Sequence, residues 1–152
     1  MSTAGTEGVP ANAEAVARVR AFFETLSPQS VQRIDEIYAA DAWFKDPFNE
    51  VRGSEPIRRI FAHMFRQVES PRFVVREAVA DRGGAFLTWE FRFRARRLGE
   101  AEQVISGASH LRFDAAGRVT YHRDYWDPAE ELYEKIPYLG GLMRAVKRRA
   151  AR

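Results

Sequence analysis

The chain has 152 residues, no cysteine and a formal net charge of +3. That length suits one domain able to bury about 68–70% of its unfolded surface without staples. The missing thiols exclude a disulfide framework, a thiol nucleophile and any Cys-ligated metal. With 45% hydrophobic and 30% charged residues it has the composition of a soluble globule.

Residues 1–12 are small, polar and dotted with Gly and Pro, and are expected to be disordered. They lack the basic start and apolar middle of a signal peptide, so the cytoplasm is the expected compartment. Val16, Val19, Phe22, Phe23 and Leu26 recur at helical spacing. Ser27-Pro28 then starts a second predicted helix, with Val31, Ile34, Ile37 and Tyr38 on one stripe. Residues 43–51 are aromatic and interrupted by Pro47, which predicts an edge strand or strand end. Gly53-Ser54 opens the clearest helix, carrying Ile57, Ile60, Phe61, Met64, Phe65 and Val68.

After Pro71 the period changes from about 3.6 to about 2. Strands are predicted over 72–80, 85–98, 102–113 and 118–126, separated by turns at Asp81-Arg82-Gly83-Gly84, near Gly99 and at 114–117. Asp127-Pro128-Ala129-Glu130 reads as a helix start with a capping-box-like Glu. Helices grouped before a meander of antiparallel strands predict an α+β fold, a curved sheet closed by helices into a cone with an open mouth. Such mouths are where small ligands usually bind. The expected organisation is a disordered 1–12, a cone domain at 13–135 and a basic amphipathic segment at 136–152.

Five positive charges, Arg144, Lys147, Arg148, Arg149 and Arg152, crowd into the last nine residues, leaving the body mildly acidic. A nucleic-acid partner would need its positive charge on a face of the domain, so none is expected. The basic segment is expected first to dock on the body, using Gly140-Gly141 as a hinge. A solvated helix end ranks second, and peripheral contact with an anionic membrane third. No run of 18 apolar residues exists to span a membrane.

Residues 26–28 and Ala40-Asp41-Ala42-Trp43-Phe44-Lys45-Asp46-Pro47 resemble the first half of the nuclear-transport-factor-2-like superfamily. This group includes SnoaL-type polyketide cyclases, ketosteroid isomerases and limonene epoxide hydrolases. Arg123-Asp124-Tyr125-Trp126-Asp127 is similar to the last strand of its epoxide hydrolases, and the resemblance spans residues 14–135. It implies the cone fold, and Asp46 matches the general base of ketosteroid isomerases. The tyrosine and second aspartate of their oxyanion hole correspond to Phe22 and Ser109. Against the epoxide hydrolases, Asp124 takes the last-strand acid, and Glu90 and Arg92 take the middle-strand pair in reversed order. Asp46 and Phe44 replace the Asn and Tyr that help hold the water there.

Two readings meet on the strand at 85–98. Periodicity puts Leu87, Trp89, Phe91 and Phe93 in the core and leaves Glu90 and Arg92 wet. The resemblance implies the reverse, with Glu90 and Arg92 lining the cavity. The aromatic stripe would then cover a homodimer interface on the outer sheet face. Alternation on the last strand groups His122, Asp124 and Trp126 on the inward face. Gly107, on the neighbouring strand, is expected to leave room for a ligand. The candidate catalytic set is Asp124, Asp46, His122, Arg92 and Glu90. The candidate substrate-binding set is Phe22, Phe44, Phe61, Phe65, Ser109 and Trp126. No metal or cofactor is expected. Two function classes remain open. One is a cofactor-free general acid–base enzyme of isomerase, cyclase or hydrolase type, acting on a small, largely apolar or amphipathic molecule. The other is a non-catalytic ligand- or lipid-binding module, or a dimeric interaction domain.

Overall fold

A computed structural model describes residues 12–132 and 139–151. The predicted disorder of 1–12 therefore lies, but for Asn12, outside the described residues. Helix α1 (Ala13–Glu24) is followed by a 3₁₀ segment (Ser30–Glu36), strands β1 (Tyr38–Lys45) and β2 (Glu50–Arg52), and helix α2 (Ser54–Gln67). Four longer strands follow: β3 (Glu69–Asp81), β4 (Gly84–Arg94), β5 (Gln103–Phe113) and β6 (Val119–Tyr125). A single turn, α3 (Pro128–Glu131), and helix α4 (Leu139–Ala150) end the described chain. No helix among the described residues is long and apolar enough to cross a membrane.

The strands form one curved mixed sheet in the order β2-β1-β6-β5-β4-β3. Every neighbouring pair is antiparallel except β1 with β6. The parallel pair requires a long crossover, and the whole chain from α2 to β5 supplies it. Helices α1 and α2 cover the concave face. α1 buries Ala15, Val16, Val19 and Phe23, and α2 buries Ile57 and Phe61. Gly53 turns the chain into α2 at φ 112°, a left-handed conformation that L side chains rarely adopt.

Three expectations are corrected here. The stripe Val31, Ile34, Ile37 and Tyr38 is not one helix: the 3₁₀ segment stops at Glu36 and Tyr38 opens β1. Gly140 and Gly141 lie inside α4 rather than at a hinge before it. The third correction concerns which face of β4 is buried. Leu87, Trp89 and Phe93 are buried and Phe91 half-buried against the core, so the stripe faces the helices and is closed to a second copy. Glu90 and Arg92 face outward with their ion pairs in reach of water. The larger apolar area takes the core, because each buried ring contributes about 1.5–3 kcal/mol. A buried ion pair, by contrast, barely repays its desolvation.

Candidate functional site

The inner face of β4, β5 and β6 builds the site by register. Trp89 pairs with Gly107, Ser109 with Asp124 and Leu111 with His122. On the other side of β6, Phe44 pairs with His122. Gly107 does not leave room for a ligand: the Trp89 ring occupies that space, and a Cβ built at Gly107 would collide with it. Lying across Gly107, the indole reaches the next inward residue, and Trp89 Nε1–H donates to Ser109 Oγ at 2.8 Å.

From Ser109 a chain of hydrogen bonds continues through the sheet. Ser109 Oγ–H donates to Asp124 Oδ1 at 2.5 Å. His122 Nε2 lies 2.6 Å from the same oxygen, and His122 Nδ1 lies 2.7 Å from Tyr38 Oη. One arrangement of protons satisfies every partner: Tyr38 donates to Nδ1, and Nε2–H donates to the carboxylate. The Tyr38 and His122 rings are nearly parallel, with 5° between their planes. Phe23 and Phe44 meet the imidazole edge-on. Burial, and next to it the Asp124 charge, push the Tyr38 hydroxyl well above its ordinary range, so it stays a neutral donor.

Asp124 Oδ1 therefore accepts two bonds, while Oδ2 has no partner among the described residues. Asp124 borders an aromatic cavity of about 470 Å³ between α2 and the sheet. Phe44, Phe61, Phe73, Trp89, Phe91, Phe93 and Trp126 wall it, and Asp46, His63, Gln67 and Arg97 also line it. A side hollow of about 20 Å³ runs from Asp124 past Ser109 and His122 toward Phe23. The larger volume falls in the range of sites for drug-sized molecules.

The remaining candidates are placed as follows. Asp46 lines the cavity but caps its own turn: Oδ1 accepts from the backbone N–H of Phe48 and Asn49, both at 2.7 Å. Both its oxygens also accept from Asn49 Nδ2. Glu90 and Arg92, expected beside Asp124, lie on the opposite sheet face. There Glu90 Oε2 accepts from Arg76 at 2.8 Å and from Arg92 at 2.7 Å. Arg92 also reaches Glu102. Arg76, then Arg92, hold the Glu90 carboxyl below its ordinary range, as befits a solvated surface network. Phe44, Phe61 and Trp126 line the cavity and Ser109 its inner hollow. Phe22 and Phe65 line neither and pack half-buried against the core. Among the described residues no three His, Asp or Glu side chains converge as metal ligands.

Sequence reasoning missed Tyr38, Trp89 as a donor, and the rim residues His63 and Arg97. Trp89 had a usable signal, its phase with Leu87 and Phe93. Tyr38 had none, because its partner lies 84 residues away.

A family model described as a SnoaL-like domain matches residues 19–122. The chain is 27% identical over 122 residues to the steroid Δ-isomerase of Nocardioides simplex, covering 78% of this chain and 94% of that one. Among solved structures it is similar to a hypothetical protein of ketosteroid isomerase-like fold from Catenulispora acidiphila, in complex with trimethylamine. The TM-score is 0.67 at 17% identity, over 79% of this chain and 90% of the other. It is also similar to an LEH-like epoxide hydrolase of M. tuberculosis, with a TM-score of 0.66 at 20% identity, over 89% and 96% of the two chains. At these identities the structural likenesses show the fold, and the expected cone is the observed one.

Proposed function

The chain belongs to the SnoaL-like domain family, and from that premise we propose that it is a cofactor-free general acid–base enzyme acting on a small, largely apolar molecule in the cavity. The observation that supports this most is the arrangement of Asp124. One oxygen is fixed by Ser109 and His122, the other has no partner among the described residues, and the residue borders an aromatic cavity. Two donors on Oδ1 hold the carboxyl group in one rotamer. Oδ2 is then the atom that takes a proton from the substrate, and the neutral acid returns it elsewhere on the same molecule. This cycle serves an isomerase or a cyclase, and with water as the proton donor it serves a hydrolase.

The surrounding donors narrow the substrate. Trp89 Nε1–H, Ser109 Oγ–H and the Tyr38 hydroxyl are each committed within the network. The donors of the hydrogen-bonded chain around Asp124 are thus not free to stabilise an enolate oxygen. The site therefore suits molecules that spread developing negative charge over their own rings or carbonyls. The likeness to a steroid Δ-isomerase supports proton transfer as the reaction class.

The test is deuterium uptake into 2-tetralone, a bicyclic ketone whose C1–H is acidified by both ring and carbonyl. The protein is expected to accelerate exchange at C1 in D₂O. Asp124→Asn keeps the shape and the Ser109 bond but removes the base, and is expected to lose about 10²–10⁴-fold. A folded Asp124→Asn protein that exchanges at the wild-type rate contradicts the assignment.

A further inference from the structure

The cavity is polar at two separated places, and they differ in sign. Asp124 is the acid at its inner wall, shared with the side hollow. At the rim, the C-terminal half of α2 contributes His63 and Gln67, four residues apart and so on one helix face. Across from them, the 3₁₀ turn after β4 contributes Arg97. That turn is closed by Leu98 N–H donating to Ala95 O at 2.9 Å, and Leu98 packs against the core, so the position of Arg97 is set by the fold. Its neighbour Arg96 is spent on Glu69 at 3.2 Å. Arg97 has no hydrogen bond or ion pair among the described residues. The second carboxylate of the lining, Asp46, accepts hydrogen bonds from its own turn.

We propose that the cavity's natural ligand is an amphipathic anion: a flat apolar body carrying one oxyanionic group, bound at the mouth by the Arg97 guanidinium with His63 and Gln67 beside it. This rests on the reading of the cavity as the ligand site and adds the ligand's charge and direction. The rings hold the body and exclude water from it. The guanidinium offers a two-pronged set of donors to a carboxylate, sulfonate or phosphate. Asp124 repels the anionic end from the inner wall, so the ligand enters in one direction only. The uncharged end is thereby delivered to Oδ2, where the chemistry takes place.

Two fluorescent probes sharing one ring system separate these contributions: 8-anilinonaphthalene-1-sulfonate, and N-phenyl-1-naphthylamine, which lacks the sulfonate. Arg97 is exposed and makes no structural contact, so Arg97→Gln is expected to fold normally. It should weaken the sulfonate probe by about three- to tenfold and leave the neutral probe unchanged. Met64→Trp, which fills the cavity from α2, should abolish binding of both. If both probes are lost in Met64→Trp but Arg97→Gln affects neither, or affects both equally, the anion proposal is overturned while the cavity reading stands. If the wild type binds neither probe, or Met64→Trp leaves both bound, the cavity reading fails and the proposal fails with it.

Discussion

Tyr38 is fully buried, and its single proton sets the protonation pattern of the residues beyond it. By donating to His122 Nδ1 it leaves the imidazole proton on Nε2, facing Asp124. Tyr38→Phe removes that donor and leaves a buried ring nitrogen unpaired, which should cost about 1–3 kcal/mol in denaturant unfolding. The same substitution should change the pH dependence of stability. The folded-state hydroxyl ionises well above its usual range, whereas in the unfolded chain it ionises near about pH 10. Its contribution is thus fully present below about pH 10 and is lost as pH rises beyond it. Wild type should therefore lose stability more steeply than Tyr38→Phe between about pH 10 and pH 12; parallel curves would show that Tyr38 is not the buried titrating group.

At the scale of the elements, β4 and β5 meet through a ring lying over a glycine. Gly107→Ala puts a methyl group where the Trp89 ring sits, so the indole must swing away from Ser109. The expected cost is about 1–3 kcal/mol of overpacking, with a shift of the Trp89 fluorescence and weaker ligand binding. On the other face of β4, Glu90→Gln removes the centre of the Arg76–Glu90–Arg92 network. Because this network is solvated, the loss should be smaller than for Gly107→Ala and should vanish as salt rises. An equal loss at high salt would mean that Glu90 contributes through packing.

Strands β3 to β6 were legible because a half-buried strand alternates visibly. The same alternation on β6 put His122 and Asp124 on one face, where they are found. Alternation also favoured the aromatic face of β4 as core. Assigning Glu90 and Arg92 to the cavity set that physical signal aside in favour of a family pattern. β1 was not legible at its start, because Val31, Ile34, Ile37 and Tyr38 have helical spacing across a 3₁₀ segment and a bend. The Tyr38–His122 contact belongs to no local pattern. The Asx turn of Asp46 is local, reaching only Phe48 and Asn49, and it differs from a catalytic carboxylate only in where its neighbours' N–H groups point.

In the molecule as a whole, the sheet separates two aromatic surfaces. The concave one carries Trp89, Phe91 and Phe93 and, with Trp126 just beyond β6, encloses the cavity. The convex one carries Trp43 stacked on Tyr121, and His110 stacked on Phe86. Partial burial, and next to it Arg112, hold His110 below its ordinary range, which keeps that stack uncharged near neutrality. At the end of the described chain, Lys147 of α4 lies 3.8 Å from Glu130 of α3, the turn that follows β6.

The three tryptophans sample both surfaces, two bordering the cavity and one on the convex side. The most direct test that ligands enter on the concave side is a titration with 2-tetralone, following the three indole N–H signals by ¹⁵N NMR. Trp89 and Trp126 should move together along one binding curve while Trp43 stays fixed. Movement of Trp43 alone, or of no indole at concentrations where proton exchange is catalysed, would contradict a ligand site built around Asp124.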